Sequence, residues 1–320
     1  MKAFLFPGQG SQEVGMGADL FRSDPDFRAL MDHASKAVGE DLERLCLRGP
    51  ESRLLRSRVL QPLIVCVSLG YLRHLTAQGI RPDVVLGHSL GELSALAAAG
   101  IVSFEQAVTL AAQRGALMEA AAATVAGGML AVITPERERL LQRLAASAPS
   151  DRVVLANDNA PNQIVLSGLL EALTSCAEAI AREKLGTCRK LAVSGPWHSP
   201  FLQEARRQFT TFIESVPFRA PVVPMLFNLT AETEADPARI RILITRILTR
   251  PVRWRDCMTQ LKRLEARELF EIGPGRVLAG LARANGFGDE THLWAINNLR
   301  GVEWAAQPPD SPEFPGPPLL

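Results

Sequence analysis

The fold of this chain is decided by Val84-Val85-Leu86-Gly87-His88-Ser89-Leu90-Gly91-Glu92. The apolar residues 84–86 predict a buried strand, and the Ala- and Leu-rich run Glu92–Ala99 predicts a helix. Between them lies a G-x-S-x-G sequence in the strand-to-helix context that this motif needs. Such a tight turn leaves no room for flanking side chains, and it lifts the Ser89 hydroxyl to a helix N-terminus, where a developing oxyanion is favoured. The sequence therefore predicts a reactive serine; a chance turn of small residues is the alternative.

Strands and helices alternate on either side of this turn. Outside residues 127–193, strands are predicted at Lys2–Phe6, Val84–Leu86, Val222–Phe227 and Leu269–Ile272, and long helices at Phe104–Ala123, Phe201–Val216, Pro237–Arg250 and Val277–Ala284. This alternation is typical of a parallel α/β sheet. The 320 residues suffice for one large domain, or for a large and a small one.

A different order of elements begins near residue 127. It runs strand, helix, strand, strand, helix, strand, at Met129–Ile133, Pro135–Ala146, Val153–Ala156, Ile164–Ser167, Leu169–Lys184 and Cys188–Val193. This βαββαβ order is the signature of a ferredoxin-like unit. We therefore predict a core of residues 1–126 and 194–304 with an inserted small subdomain, 127–193. The proline-rich residues 305–320 are predicted to be a disordered tail outside the fold.

The composition narrows the class of protein. Lys and Arg total 35 against 34 Asp and Glu, which gives a net charge of +1 and argues against a nucleic-acid surface or a polybasic membrane anchor. No apolar run reaches membrane-spanning length. The five cysteines are scattered and form no C-x-x-C, so we expect reduced thiols and a cytoplasmic protein. We also expect a monomer.

A serine nucleophile needs a base, and the chain has five histidines. His88 is adjacent to Ser89 and would point away from it, while His33 and His74 lie in charged helical stretches. His198 lies in the constrained loop 194–200, where the chain returns from the insertion and would face a cleft. Spacing therefore favours His198.

Five motifs occur along the chain in a fixed order. They are Phe6-Pro7-Gly8-Gln9-Gly10-Ser11-Gln12, Gly87-His88-Ser89-Leu90-Gly91-Glu92, Gln113-Arg114-Gly115, His198-Ser199-Pro200 and Glu271-Ile272-Gly273-Pro274-Gly275. Over roughly residues 2–300 the chain resembles the malonyl-CoA:acyl-carrier-protein transacylases, which include enzymes of fatty-acid synthesis and acyltransferases of polyketide synthases. The resemblance implies an α/β-hydrolase-like core with a ferredoxin-like insertion.

The resemblance also implies roles for particular residues. Ser89 would be acylated by the coenzyme A thioester, and His198 would accept its proton and later activate the phosphopantetheine thiol of a holo acyl carrier protein. The backbone N–H groups of Gln9 and Leu90 would form the oxyanion hole. The segment Pro251-Val252-Arg253-Trp254 matches the region whose backbone carbonyl orients the histidine, a role that falls to Arg253. No metal and no bound cofactor are implied; coenzyme A is part of the substrate.

Arg114 falls on an apolar helix stripe with Ala107, Ala111 and Met118. A guanidinium there needs a carboxylate partner, and an internal ion pair is the commoner case. The resemblance instead implies that Arg114 grips the free carboxylate of a malonyl group through a bidentate contact.

Five more residues are candidates for substrate binding: His88, Trp197, Gln61, Asn159 and Asn228. For Gln61, Asn159 and Asn228, a structural role as a cap or polar turn is an equal alternative. Trp197 precedes His198 and is bulky enough to narrow a pocket, which favours unsubstituted malonyl. Trp197 and Arg253 together favour a stand-alone polyketide-type acyltransferase over the fatty-acid enzyme.

Two other functions fit the same scaffold. An acyl-carrier-protein acyl hydrolase would use the same serine, but such relatives tend to lose the arginine that stands here at position 114. A catalytically silent docking subunit would not need both Ser89 and His198. The basic residues of the insertion are candidates for carrier-protein contact or form a solvated face: Arg182, Lys184, Arg189 and Lys190.

Overall fold

The computed structural model describes residues 1–147 and 152–307, and its strands form two sheets. The nine strands are β1 Lys2–Phe6, β2 Val84–Gly87, β3 Gly127–Ile133, β4 Val153–Ala160, β5 Gln163–Leu169, β6 Thr187–Lys190, β7 Met225–Leu226, β8 Glu268–Ile272 and β9 His292–Ile296.

The helices of the described residues surround these sheets. They are α1 Ala18–Ser23, α2 Pro25–Val38, α3 Leu42–Arg48, α4 Glu51–Leu54, α5 Ser57–Ala77, α6 Gly91–Ala98, α7 Phe104–Ala122, α8 Arg137–Ser147, α9 Leu170–Arg182, α10 Gln203–Glu214, α11 Pro237–Arg246, α12 Trp254–Arg263, α13 Val277–Ala284 and α14 Leu299–Ala306. Two short 3₁₀ turns lie at Pro200–Leu202 and Ile247–Thr249.

The larger sheet has five parallel strands in the order β7-β2-β1-β8-β9. Its strands are buried on both faces, as apolar runs in a parallel sheet should be. Phe6 of β1 pairs with Gly87 of β2, so both strands end at the same edge. That edge therefore carries both the loop after Phe6 and the turn that holds Ser89, where α/β sheets place their ligands.

The smaller sheet is antiparallel, in the order β4-β5-β3-β6, with helices α8 and α9 between its strands. Its elements follow the βαββαβ order, and it has an apolar cluster of its own around Val132, Ile164 and Leu166. The fold class predicted from the sequence, a parallel α/β core with an inserted ferredoxin-like unit, is confirmed. The domain limits at residues 126, 127, 193, 194 and 304 stay a prediction.

Strand β4 joins the smaller sheet to the core. Val252 donates its N–H to Ala156 O at 2.8 Å and accepts from Asp158 N–H at 2.9 Å. The Asp158 carboxylate also accepts from Arg255 of α12 at 3.2 Å. Asn159, one residue further on, is therefore held against the edge where Ser89 lies.

The expectation that no apolar run reaches membrane-spanning length is wrong for helix α5, the one described helix long and apolar enough to cross a membrane, with mean hydropathy 1.3. In the structure 83% of that apolar window is buried inside the protein. Its apolar side chains belong to the main hydrophobic core, so its hydropathy is that of a core helix.

Several predicted boundaries differ from the structure. The strand expected at Val222–Phe227 is reduced to Met225–Leu226, and Val222 is 80% exposed. The helix expected to reach Arg250 ends at Arg246 and tightens into a 3₁₀ turn. Strand β9 and helix α14 were not predicted, and α14 runs to Ala306, two residues into the predicted tail. Residues 308–320 of that tail lie outside the described residues.

Candidate active site

The turn between β2 and α6 holds Ser89 in a left-handed backbone conformation, with φ of 53°. This conformation costs a non-glycine residue on the order of 1–3 kcal/mol. The flanking glycines are required by space: a Cβ on Gly87 would lie 1.9 Å from the backbone of Gly91, and one on Gly91 would lie 2.0 Å from Phe6 O. The predicted strand-to-helix turn is therefore present, and it packs directly on β1.

His198 lies across the edge of the sheet from this turn and bonds to Ser89. Its Nε2 is 2.7 Å from Ser89 Oγ, and its Nδ1 is 2.8 Å from Ile247 O. Because a carbonyl can only accept, Nδ1 carries the proton and Nε2 accepts from the serine hydroxyl. Burial, with the Arg114 charge nearby, holds the pKa of His198 well below its ordinary value. The imidazole is therefore neutral and positioned as a base.

The carbonyl that orients His198 belongs to Ile247, so the assignment to Arg253 is wrong. The 3₁₀ turn at Ile247–Thr249 brings the Ile247 carbonyl to the imidazole. Arg253 lies beyond it, donating its N–H to Asn228 O and its guanidinium to Thr230 O and Asp256. The Pro251-Val252-Arg253-Trp254 segment, on which the assignment to Arg253 depends, gives no sign of the turn that begins at Ile247.

Arg114 extends from α7 to the serine and is only 2% exposed. Its Nη2 donates to Ser89 Oγ at 3.1 Å and its Nη1 to the side-chain oxygen of Gln61 at 2.9 Å. Within residues 1–147 and 152–307, no carboxylate forms an ion pair with it, so the internal ion pair considered as an alternative is absent there. Burial lowers the pKa of Arg114 to about 10, and the charge of Glu92 opposes that shift.

The close approach of α5 and α7 sets the contact between Gln61 and Arg114. A Cβ on Gly115 would lie 2.3 Å from Ser57 O, so a side chain there would push the helices apart. Gln61 also donates to the side-chain oxygen of Gln9 at 3.1 Å, and Gln9 in turn donates to Ser57 Oγ at 3.3 Å. The polar groups around Arg114 are thus tied to the loop after β1.

The backbone N–H groups of Gln9 and Leu90 lie where the two loops meet. A Cβ on Gly8 would lie 2.5 Å from His88 O and 3.7 Å from Leu90 N, which shows how closely the loops approach. In the part of the chain that the structure describes, neither N–H donates to a protein acceptor. Two unused donors beside a serine hydroxyl can stabilise an oxyanion.

A cleft of about 420 Å³ opens above these groups, between the two sheets. Its floor includes Gln9, Ser89 and His198, and one wall carries Trp197, which is 4% exposed. The smaller sheet also lines the cleft, at the following residues: Met129, Ala131, Asn157, Asn159, Gln163, Val165, Arg189 and Lys190.

His88 and Asn159 face the cleft as a bonded pair. Asn159 Oδ1 accepts from His88 Nε2 at 2.9 Å, and the His88 ring packs edge-on against Trp254 at 5.2 Å between centroids. Burial lowers the pKa of His88, so this imidazole is neutral as well. Asn285 holds the Asn159 carbonyl at 2.8 Å from its Nδ2, a contact that the sequence did not predict.

Asn228 lies fully buried beneath the turn, and both ends of its side-chain amide bond to backbone groups, which corrects its assignment to substrate binding. Its side chain bonds to Ser89 N–H and Gly87 O, and its own N–H donates to Glu92. Asn228 lies next to the turn because it closely follows the short strand β7, which pairs with β2. Glu92, the last residue of the serine motif, was not singled out in the sequence, although a charged residue in an apolar helix was a usable signal.

Among the described residues, no group of three or more His, Cys, Asp or Glu side chains could hold a metal ion. A serine on a strained turn, bonded to a neutral imidazole and flanked by two free N–H donors, defines the class of enzymes that transfer acyl groups through a serine ester.

Comparison with known proteins gives the family. The model of the acyl transferase domain matches residues 3–283. The chain is 35% identical to the malonyl CoA-acyl carrier protein transacylase of Salmonella typhimurium, over 88% of this chain and 91% of that protein. It is also 35% identical to a polyketide biosynthesis malonyl CoA-acyl carrier protein transacylase of Bacillus subtilis, over 88% and 96% of the two chains.

A solved structure of a type II polyketide synthase acyl-carrier protein in complex with its malonyl-transacylase aligns with a TM-score of 0.89 and 33% identity, covering 95% of this chain and 98% of that one. The chain belongs to the acyl transferase domain family.

Proposed function

We propose that this enzyme transfers a malonyl group from coenzyme A to the phosphopantetheine thiol of a holo acyl carrier protein. The observation that carries the proposal is Arg114, a buried guanidinium without a carboxylate partner among the described residues, 3.1 Å from Ser89 Oγ. A malonyl group ends in a free carboxylate that satisfies such a cation through a charge-assisted bidentate contact. A simple fatty acyl group would leave the guanidinium buried and unpaired, which costs free energy.

In the first half-reaction, Ser89 Oγ attacks the thioester carbonyl while His198 Nε2 accepts the hydroxyl proton. The carbonyl oxygen becomes an oxyanion that the N–H groups of Gln9 and Leu90 stabilise. The C–S bond then breaks, and the coenzyme A sulfur leaves with the proton from His198. Ser89 carries the malonyl group as an ester.

In the second half-reaction, the carrier-protein thiol replaces coenzyme A in the cleft. His198 accepts the thiol proton, and the sulfur attacks the ester carbonyl. Collapse of the intermediate returns the proton to Ser89 Oγ and leaves the malonyl group on the carrier protein. Because one acyl-enzyme serves both halves, the kinetics are ping-pong.

The carrier-protein partner is supported by the relatives. The names of the Salmonella and Bacillus proteins contain it, and the solved polyketide complex holds such a protein. In this chain Arg189 and Lys190 lie at the cleft, where they suit an acidic partner or the coenzyme A phosphates. Fatty-acid and polyketide relatives match equally well, and Trp197 favours the polyketide type.

We also propose a cytoplasmic location and a division into a core of residues 1–126 and 194–304 and a subdomain of 127–193. The five cysteines are free thiols, three of them buried, as expected of a protein in a reducing compartment. The separate apolar cluster of the smaller sheet supports the division.

The test is a mass measurement of the intact protein after incubation with malonyl-CoA, followed by a chase with holo acyl carrier protein. We expect a malonyl adduct on Ser89 that the carrier protein removes, and none in Ser89→Ala. Absence of an adduct from malonyl-CoA, acetyl-CoA and longer acyl-CoAs would refute an acyl-enzyme. An adduct lost to water as fast as to the carrier protein would show a hydrolase.

A further inference from the structure

Ser89 needs a partner that keeps its backbone in the left-handed region. Gly87 and Gly91 make room for the turn. Gly91 N–H donates to His88 O at 3.0 Å and Glu92 N–H donates to Ser89 O at 3.1 Å, but these backbone bonds leave the Ser89 N–H to be held by a side chain. A serine free to relax would rotate its peptide group and move its hydroxyl, and a shift of about 1 Å in a reacting group can cost 10²-fold in rate.

Asn228 supplies that partner through both ends of its side-chain amide. Its Oδ1 accepts from Ser89 N–H at 2.7 Å, and its Nδ2 donates to Gly87 O at 2.8 Å. The two peptide groups on either side of His88 are therefore bridged by one side chain. No part of Asn228 is exposed, so water does not compete for these bonds.

Glu92 fixes Asn228 in turn. Its Oε1 accepts from Asn228 N–H at 2.7 Å, and the Arg253 N–H donates to Asn228 O at 3.0 Å. Since Glu92 lies in the first turn of α6, directly after the serine, these bonds close a ring from the turn through the helix to Asn228 and back. Gly87, Asn228 and Glu92 are buried members of this ring, with Glu92 2% exposed, and only the turn at Ser89 is partly exposed.

The ring also decides which N–H groups remain for the oxyanion. Because Asn228 occupies Ser89 N–H, the free donor on this side of the turn is Leu90 N–H. We infer that Asn228, oriented by Glu92, is the positioning residue that holds Ser89 and the Leu90 donor in their reactive arrangement. This inference rests on the function proposed above.

The test measures the rate of the first malonylation of Ser89 at increasing malonyl-CoA, in wild type and variants. In Asn228→Ala we expect the maximal rate to fall about 10²-fold. The half-saturating concentration should stay within about threefold, because the Arg114 contact that binds the acyl group is intact.

Conservative variants separate positioning from a general loss of structure. Glu92→Gln keeps an acceptor for Asn228 N–H and should retain most of the rate, whereas Glu92→Ala should lose it. In Asn228→Asp, the introduced carboxyl can bridge Ser89 N–H and Gly87 O only when it is protonated. Its rate should therefore fall as pH rises, whereas the wild-type rate should not.

Two titratable groups contact Asn228, namely Glu92, which accepts its N–H, and Cys257, and the Arg114 charge acts on Glu92. A negative charge on Glu92 raises the pKa of the introduced carboxyl and the positive charge of Arg114 lowers it, so each moves the pH at which the rate is lost. Neither changes the prediction that the rate falls as pH rises. Asn297→Asp is the matched control, because the Asn297 side chain also donates to a backbone carbonyl, Gly275 O, and lies outside the ring.

The outcomes are distinct. If wild type forms no malonyl-enzyme, the proposed function is wrong, and the inference falls with it. If wild type is acylated and Asn228→Ala matches its rate, the inference alone is overturned. If Asn228→Ala does not fold, a pH profile of Asn228→Asp that parallels wild type overturns it, and a selective loss at high pH supports it.

Discussion

Arg114 Nη2 lies 3.1 Å from Ser89 Oγ, so the cation and the nucleophile are in direct contact before any substrate enters. The serine hydroxyl accepts from Arg114 and donates to His198 Nε2, 2.7 Å away. In the proposed function, a malonyl group whose carboxylate binds the guanidinium has its thioester carbonyl next to the attacking Ser89 Oγ. In the proposed function, Arg114, which selects the acyl group, and His198, which activates the nucleophile, both bond to Ser89 Oγ.

Arg114→Ala should weaken the preference for malonyl-CoA over acetyl-CoA. Truncating one partner of a buried charged pair costs about 2–5 kcal/mol, so malonylation should slow about 10²-fold or more, and acetylation should not slow in parallel. The measurement is the rate of adduct formation with each thioester. Arg56→Ala is the control. Arg56 is an exposed arginine outside α7 that bonds to Glu119, a residue of the helix that also carries Arg114. An unchanged preference in Arg114→Ala would refute the carboxylate contact.

The acylation rate of wild type should stay nearly level as pH falls from about 7.5 to 5.5. A histidine with the ordinary pKa of about 6.5 would be about nine-tenths protonated at pH 5.5 and would lose its function as a base. Burial, followed by the Arg114 charge, holds the pKa of His198 below that value, so the neutral base persists. The measurement is a pH profile of the first acylation. A loss of acylation rate centred near pH 6.5 would contradict the prediction that His198 stays neutral over this range.

The effect of the Arg114 charge on the pKa of His198 also predicts the pH profile of the Arg114→Ala variant. Removing the Arg114 charge takes away one of the influences that lower the pKa of His198. In Arg114→Ala the acid limb of the profile should therefore move to higher pH. The Arg56→Ala profile should coincide with that of wild type.

The sequence predicted the parts of the site that depend on local geometry. Gly87 and Gly91 mark a turn that only glycine fits, so Ser89 was found by residue type and spacing. The apolar neighbours of Arg114 predicted its buried helix face, but its role at the site came from the family resemblance. The order of strands and helices in residues 127–193 likewise predicted the second sheet, because each strand and helix there can be recognised from its own run of residues.

Contacts between distant segments could not be predicted in the same way. Ile247 acts through a carbonyl that every residue possesses, so no side chain marks it. Asn228 was seen as a polar residue after a strand, but its direction depends on where β7 pairs with β2. Strand β9 was missed because His292 and Thr291 give its start a polar character.

Arg253→Ala should leave the acylation rate within about threefold of wild type. Its side chain bonds to Thr230 O and Asp256 at the surface, and its remaining role belongs to its backbone N–H, which alanine keeps. His198→Ala, measured beside it, should lose about 10²-fold to 10⁴-fold. A comparable loss in Arg253→Ala would restore Arg253 as a residue that acts on His198.

Gly115→Ala should lower both stability and malonyl preference. The added methyl group would lie 2.3 Å from Ser57 O, so α5 must move away and take Gln61 from Arg114. Overpacking of this kind costs about 1–3 kcal/mol, measured as a drop in Tm. Gly280→Ala is the matched control, because Gly280 also lies in a helix, α13, with open space at its Cβ position, and should be stabilised by up to about 1 kcal/mol. Equal Tm values for the two variants would contradict the close helix contact.

Trp197→Ser should admit methylmalonyl-CoA. The indole is 4% exposed and lines the cleft next to His198, so it limits the space at the α-carbon of the acyl group. One added methyl group changes discrimination by about 10-fold to 200-fold in an apolar pocket, and the ratio of methylmalonylation to malonylation should rise by at least the lower figure. The measurement is adduct formation with both thioesters in competition, read by intact mass. Trp304→Ser, on α14 and outside the cleft, should leave the ratio unchanged. An unchanged ratio in Trp197→Ser, in a protein that still forms the malonyl ester, would show that another wall of the cleft sets the limit.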